Sequence, residues 1–540
     1  MTTRKGVWIL LATILGSSMA FIDSSVVNVA LPRLQLDLNA TAASVQWVVE
    51  AYALFLGALI LVGGSMGDLY GRKKIFAIGI VIFALASIWC GLAPDITQLI
   101  IARALQGIGG ALLTPGSLAI IRATFDESQR GRAIGLWSGF SAITSALGPV
   151  IGGWLVQNAS WRWIFFINIP LAVIVLAILF LHVPESRSEG SKSHLDFPGA
   201  ILATVGLGVL VFGLIEASAL GLTHPLVLGC LVVGAIVLVL FVLVEARSPA
   251  PMMPLVLFRS RVFSGTNLLT LFLYAAIGGA LYFLPFNLIR VHGYSATAAG
   301  AALLPFTLIM FALSRWSGGL VTRYGARLPL VVGPLLSAAG YGLFALPGTG
   351  GSYWLTFFPA VIVLGLGMTI TVPPLTTTVL GAVEDRYAGT ASGVNNAVAR
   401  IAGLLAVAVL SIVVLYAFNL ALDTHLAALH VSSVDQHLLD GQRARLAGAE
   451  VPASIGGPLH AALQQAIAES FVTGFRVAML IGAGLSLASA LCAFLTISKP
   501  APSSSQREEQ QCGDNASTLT CGHQYTAKRS DTEAFTHNQS

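Results

Sequence analysis

Long apolar runs, separated by short clusters of glycine and charged residues, recur along the chain from Val7 to Ile497. A helix needs roughly 20 predominantly apolar residues to cross a bilayer, and the runs have about that length. The pattern therefore predicts an all-α polytopic membrane protein with about fourteen transmembrane helices. The predicted spans are 7–29, 46–65, 75–93, 98–121, 133–157, 162–182, 197–216, 224–244, 263–290, 297–320, 328–346, 354–373, 390–416 and 471–497.

Composition and charge agree with this class. Hydrophobic residues make up 56% of the chain and charged residues 10%, which excludes a soluble globular protein because such proteins carry roughly 25% charged residues. Most Lys and Arg residues between the spans fall on one side, which the positive-inside rule makes cytoplasmic. Both termini are then cytoplasmic, in a multi-pass protein of the cell (inner) membrane. The same bias accounts for the net charge of +5, so no nucleic-acid partner is expected.

Two segments lie outside the predicted spans. Residues 498–540 are rich in Ser, Gln, Thr and charge, which predicts a disordered cytoplasmic tail. Residues 419–470 mix apolar and polar positions at helical spacing, which predicts short amphipathic helices on the outer surface. The cysteines have no metal-ligand spacing, so neither a metal site nor a structural disulfide is expected.

The chain also repeats itself. GSMGDLYGRK from Gly64 has a counterpart in GGLVTRYGAR from Gly318, and GIGGALLTPGS from Gly107 is similar to GLGMTITVPPL from Gly365. The two offsets nearly agree, which indicates a duplication. We therefore expect an N-terminal six-helix bundle in 1–190, two inserted transmembrane helices in 191–250 and a C-terminal six-helix bundle in 251–497. In parallel-repeat transporters the substrate site lies between such halves near the bilayer midplane.

Four motifs resemble those of the major facilitator superfamily. The loop cluster from Gly64 is similar to the motif between its second and third helices, and three further stretches resemble motifs of its fourteen-helix drug:proton antiporter branch. These are DSSVVNVALP from Asp23, RALQGIGG from Arg103 and GPVIGGWL from Gly148. The resemblance covers nearly all of the membrane part. It implies two six-helix bundles plus two extra central helices, and multidrug efflux driven by proton entry.

The loop cluster is a candidate conformational gate. We expect Asp68 just beyond the end of a helix, where it can pair with basic groups and cap a neighbouring helix N-terminus, while the glycines permit a tight turn. Leu69 stands where the family usually has Arg, and Thr322 replaces the Asp in the second copy, so the lock is expected to be weaker there. The alternative is a basic loop that only sets topology. The gate residues are Gly64, Asp68, Gly71, Arg72 and Lys73.

Three charged residues lie inside apolar spans, namely Asp23, Glu50 and Arg103. An ionised side chain at the centre of a membrane helix costs at least about 2.5 kcal/mol, so an intramembrane acid is a candidate for proton coupling or substrate contact. All three are expected at similar depth, where they could share one cavity. Asp23 is the favoured coupling acid and Glu50 its helper. The alternatives are a packing hydrogen bond for Asp23, a solvated helix end for Glu50 and contacts to backbone carbonyls for Arg103.

The stretch GPVIGGWL supplies a candidate antiporter helix motif. Its small residues Gly148, Pro149, Gly152 and Gly153 would let helices approach closely, and proline loosens the helix. This suits a span that bends during alternating access. Generic close packing remains the alternative.

A structural and a functional role fit the other polar residues of the spans equally well. Aromatic residues of the spans could line an apolar cavity, but for each of them a lipid-facing or core position is favoured. No phosphate loop, HExxH pair or GxSxG turn occurs, so the protein is expected to be no enzyme and to need no cofactor. Its partners are then a small-molecule substrate, protons and the bilayer. A periplasmic adaptor protein stays an open alternative that no motif indicates. A proton-coupled exporter or symporter of a specific metabolite is the alternative function.

The other polar residues of the spans, mentioned above, are Arg315, Asn395, Asn396, Arg400 and Glu216, and the aromatic residues are Trp137, Phe140, Tyr274, Tyr282 and Phe286.

Overall fold

A computed structural model describes residues 4–187, 196–249, 251–384, 387–429, 431, 433–451, 455 and 457–497. These residues form long helices joined by short connections. The predicted tail, 498–540, lies outside them. We number the long helices α1 Arg4–Asp37, α2 Ala42–Tyr70, α3 Arg72–Leu92, α4 Ile96–Thr124, α5 Glu127–Asn158, α6 Asn168–His182, α7 Phe197–Leu220, α8 Pro225–Arg247, α9 Arg261–Phe286, α10 Leu304–Gly318, α11 Arg327–Phe344, α12 Phe358–Gly381, α13 Ala388–Ala428 and α14 Gly457–Thr496. Shorter helices include Trp163–Phe166 and Ala296–Ala301.

Within the described residues, 13 helices are long and apolar enough to cross a membrane. They include every numbered helix except α5, whose 32 residues nevertheless give a length of about 48 Å. The predicted all-α polytopic fold is therefore confirmed, with α5 as the less apolar fourteenth helix.

Several helices continue well past their apolar runs. The last two, α13 and α14, have 41 and 40 residues, so both extend beyond a bilayer core of about 30 Å. This corrects the prediction for 419–470. Its two ends are continuous parts of α13 and α14, because an uninterrupted helix keeps satisfying backbone hydrogen bonds after the apolar run ends. A separate short helix, Ser433–Asp440, lies between them.

The helices pack as two groups. In the first half α2 packs on α4, α3 on α4 and α1 on α5; in the second half α11 packs on α12 and α14, and α9 on α13 and α14. The helices α7 and α8 pair with each other, and α7 rests against α2 and α13. An apolar cluster that includes Leu54, Val211 and Leu404 holds α7 there. No described residue of α7 or α8 lines the cavities described below.

The two ends of the bundle differ in charge. The end that carries the α2–α3 junction, with Arg72, Lys73 and Lys74, is called the basic face; the end that carries the α1–α2 junction is called the opposite face. The opposite face is closed by contacts between the halves. Arg290 Nη2 donates to the Pro32 carbonyl at 2.7 Å, and Gln35 Nε2 donates to the Arg445 carbonyl at 3.2 Å.

Candidate transport site

The first half of the protein holds a buried ion pair between α1 and α4. Arg103 Nη1 donates to Asp23 Oδ2 at 2.5 Å, and the two side chains are 1% and 0% exposed. The Arg103 guanidinium also lies 4.3 Å from the centre of the Tyr52 ring. Two of the three charged residues expected at similar depth are thus in direct contact.

Polar side chains from further helices complete this pair. Gln106 Nε2 donates to Asp23 Oδ1 at 2.8 Å, and Asn168 Nδ2 donates to the same oxygen at 3.3 Å. Arg103 Nε donates to the Val48 carbonyl at 2.9 Å. Both carboxylate oxygens of Asp23 are therefore occupied by donors, which is the condition under which a buried charge is tolerated. Sequence reasoning missed Gln106 and Asn168, although each is a polar residue in an apolar span.

Glu50 stands apart from this network although it lies close to it on α2. Its side chain is 1% exposed, and neither carboxylate oxygen has a hydrogen-bond partner among the described residues. Gln46 lies one turn earlier and close to the carboxyl group, but the geometry at its Nε2 atom does not satisfy a hydrogen bond. Burying an ionised carboxylate without a partner is costly, so this environment favours the neutral, protonated form.

Two adjoining cavities lie between the halves. One, of about 230 Å³, is lined by Glu50 and Arg103 from the first half and by Tyr282 and Arg400 from the second. The other, of about 340 Å³, lies nearer the basic face. They share the side chains of Ser24, Tyr52, Tyr274, Ala399 and Arg400. Among the predicted aromatic residues Tyr274 and Tyr282 line this space, and Phe286 does not line either cavity.

The gate residues differ from their predicted placement. Asp68 lies inside the last turn of α2 and not beyond it, because Gly71 alone makes the turn to α3, with a φ of +113°. Arg72 Nε donates back to Asp68 Oδ1 at 2.8 Å. The residue that caps α3 is Glu185, which accepts from the Lys73 and Lys74 amides at 3.0 and 3.2 Å. Sequence reasoning did not identify Glu185.

A side chain at position 71 would also displace the Glu185 carboxylate. A Cβ atom there would lie 2.8 Å from the Glu185 carboxyl carbon. Gly64, in contrast, meets only an ordinary contact with Pro115. Lys73 Nζ reaches the Phe180 carbonyl at 3.4 Å. The cluster thus joins α2, α3 and the segment after α6 in this conformation.

The antiporter helix motif lies between the halves at the opposite face. A Cβ atom at Gly148 would overlap Ser25 of α1, and one at Gly152 would lie 2.7 Å from Val26 Cγ1. On the other side of α5, a Cβ atom at Gly153 would overlap the Ala296 carbonyl.

Pro149 takes part in the same contact. A Cβ atom at Gly300 would overlap the Pro149 carbonyl. The motif therefore packs α5 against α1 and against Ala296–Ala301 at once.

The other polar and aromatic residues that the sequence analysis names lie in different surroundings. Asn395 Nδ2 donates to Asn267 Oδ1 at 3.2 Å and to Thr270 Oγ1 at 2.7 Å, which ties α13 to α9. Trp137 Nε1 donates to Ser17 Oγ at 3.0 Å. Arg400 lines both cavities and makes no ion pair within the part of the chain that the structure describes.

Comparison with known proteins identifies the family. The model for the Major Facilitator Superfamily matches residues 13–407. The tetracenomycin C resistance and export protein of Streptomyces glaucescens is 33% identical over 495 residues, which cover 90% of this chain and 91% of that protein. The multidrug resistance protein Stp of Mycobacterium tuberculosis is 34% identical over 484 residues, 87% of this chain and 88% of that protein. The puromycin resistance protein pur8 of Streptomyces alboniger is 38% identical over 411 residues, 75% of this chain and 81% of that protein.

Solved structures resemble the fold. A bacterial homolog to the human lysosomal transporter Spinster, in an inward-facing and occupied conformation, has a TM-score of 0.65 at 18% identity and covers 92% of this chain and 97% of its own. The POT family transporter PepTSo has a TM-score of 0.61 at 13% identity, with coverages of 92% and 98%. At these identities the likeness shows the fold alone.

Proposed function

Because this chain belongs to the major facilitator superfamily, we propose that it is a multidrug efflux transporter that exports amphipathic or cationic organic compounds in exchange for protons. The family and the relatives make it a membrane transporter of small molecules. Relatives that are named for resistance and export support the direction of transport.

The buried carboxyl group of Glu50 carries the proton-coupling part of this proposal. It is an acid with no hydrogen-bond partner among the described residues, and it faces the cavity between the halves. A carrier must release its proton in one conformation and regain it in another, which requires surroundings that change as the halves move. Glu50 meets this condition because residues of both halves line its cavity.

Asp23 has a different role in this proposal. Its carboxylate is held by Arg103, Gln106 and Asn168, all within the first half. A rigid-body movement of the halves leaves these contacts unchanged, so Asp23 and Arg103 stabilise the bundle and shape the cavity wall. Glu50 thus replaces Asp23 as the favoured coupling acid.

We place the basic face in the cytoplasm, in the cell (inner) membrane, with both termini on that side. The division into 1–190, 191–250, 251–497 and 498–540 belongs to the same proposal. The cluster of Gly64, Asp68, Gly71, Arg72 and Lys73 then gates the cytoplasmic side, and the glycines of α5 gate the outer side.

Transport by purified protein in liposomes tests this function. Ethidium uptake into the lumen is followed while a pH gradient is imposed in either direction. A proton antiporter accumulates the dye on the acidic side, since proton exit drives dye entry. Dye accumulation on the alkaline side would indicate symport. Dye movement that is independent of the pH gradient would exclude proton coupling.

A further inference from the structure

Arg400 is a cation at the junction of the two cavities, which together are called the central cavity, and the described residues offer it no counter-ion. It lies on the stripe of α13 that faces both cavities, with Asn396 one turn before it and Gly403 one turn after it. No carboxylate lies within ion-pair distance of its guanidinium in the described ranges. Of the described residues that line the two cavities, Glu50 is the one acid.

Glu50 does not neutralise Arg400 in this conformation. A Cβ atom added at Gly57 would lie 3.5 Å from Arg400 Cβ, so the backbone of Arg400 passes α2 at the level of Gly57. Gly57 follows Glu50 by two helical turns, which is about 10 Å along the axis. Glu50 and the backbone of Arg400 therefore lie at two levels of the cavity that both residues line, and no ion pair joins their side chains.

Tyr52 lines both cavities, as Arg400 does, but its hydroxyl is buried near Gly110 of α4 and has no hydrogen-bond partner among the described residues. Its ring is fixed against the Arg103 guanidinium on the other side. Guanidinium groups only donate hydrogen bonds. The chemical complement of the unpaired Arg400 guanidinium is an anionic oxygen group such as a carboxylate.

We propose that the central cavity recognises amphipathic zwitterions, with the anionic group of the substrate bound by Arg400 and its cationic part directed toward Glu50. This inference rests on the proposed export function and narrows its substrate class. A positive charge beside Glu50 favours the ionised carboxylate, so substrate binding at that end promotes proton release. The anionic end supplies binding energy without competing for the proton. Exchange of a zwitterion for a proton follows from this arrangement.

Rhodamine B and its ethyl ester form a matched pair of probes. Both carry the same cationic xanthene, and only rhodamine B has a free carboxylate. Binding to the purified full-length protein is measured by fluorescence anisotropy without a gradient, and transport is measured separately in liposomes. We expect Arg400→Gln to weaken rhodamine B binding about tenfold, equivalent to about 1.4 kcal/mol, and to change ester binding less than about twofold.

Two further variants complete the experiment. Arg400→Lys keeps the charge but not the planar fork, so an intermediate loss for rhodamine B is expected. Arg476→Gln makes the same chemical change at an exposed arginine of α14 that donates to the Leu346 and Pro347 carbonyls, and it should leave both dyes unaffected.

An equal loss for both dyes, or no loss for either, would overturn the inference, because Arg400 would then act on structure or not at all. The export function is judged by a separate readout. Selective loss of rhodamine B binding in a protein that never moves dye against a gradient would support the zwitterion site and refute proton-driven export. Normal gradient-driven export, combined with an equal effect of Arg400→Gln on both dyes, would support proton-driven export and refute the zwitterion site.

Discussion

Replacement of Asp23 by asparagine removes one charge from the buried pair while keeping the size of the side chain. In the native protein Oδ2 accepts from Arg103, and Oδ1 accepts from Gln106 and Asn168. An asparagine must turn its NH₂ group toward one of these donors, whichever way it is placed. The variant therefore loses a hydrogen bond and leaves the Arg103 charge without a counter-ion.

The expected cost is large. Removing one partner of a buried ion pair typically costs about 3–5 kcal/mol. For a domain of roughly 150–250 residues, such as the proposed unit 1–190, this loss of free energy corresponds to a fall in melting temperature of about 10 °C. Thermal unfolding of the detergent-solubilised protein, followed by intrinsic tryptophan fluorescence, measures it.

Asp37→Asn is the matched control. Asp37 pairs with Arg33 at 3.0 Å, but the Arg33 side chain is 60% exposed. Such surface pairs contribute about 0–1 kcal/mol, so we expect a shift below about 3 °C. Asp23→Asn and Asp37→Asn with equal melting temperatures would refute the structural role of Asp23. A double variant, Asp23→Asn with Arg103→Gln, should recover part of the loss because no buried charge remains.

Three further predictions concern the gate and the α5 motif. Glu185→Ala removes the cap of α3 at a cost of about 1 kcal/mol, so hydrogen exchange at the Lys73 and Lys74 amides should accelerate; unchanged exchange would contradict the capping role. Asp68→Asn should slow turnover and leave the substrate Kd nearly unchanged, because it alters a conformational equilibrium and no substrate contact; wild-type turnover would remove the gating proposal. Gly153→Leu overlaps Ala296 and should open the opposite face, so labelling of an Asn28→Cys site by an outside, membrane-impermeant maleimide should rise several-fold, whereas Gly135→Leu, on an open part of α5, should leave it unchanged.

The sequence predicts the helical architecture well because apolar length is a local property. The meeting of Asp23 with Arg103 also follows from sequence, since the positions of the two residues along oppositely directed spans place them at one depth. Helix ends are less predictable. Asp68 looks like a loop residue by composition, yet α2 continues to Tyr70 because its backbone hydrogen bonds extend past the apolar run.

Contacts between distant segments are beyond such reasoning. Glu185 caps a helix that begins more than 100 residues earlier, and no local pattern marks it as a cap. Gly153 meets Ala296 only because the two halves close at that face. The lack of hydrogen-bond partners for the Glu50 carboxyl group depends on the side chains that surround it, which the sequence does not show. Sequence reasoning therefore favoured Asp23 as the coupling acid, because Asp23 begins a recognisable motif.

The central claim is that Glu50 carries the proton that drives export. Its most direct test is pH-driven dye accumulation in liposomes that contain Glu50→Gln, with Glu245→Gln as the control. Glu245 is a buried acid at the end of α8 that accepts from the Met253 amide and lines neither cavity. We predict that Glu50→Gln abolishes accumulation against the dye gradient and its pH dependence, while downhill dye movement remains measurable and Glu245→Gln behaves as the wild type. Undiminished uphill accumulation by Glu50→Gln, with an unchanged pH profile, would contradict the account.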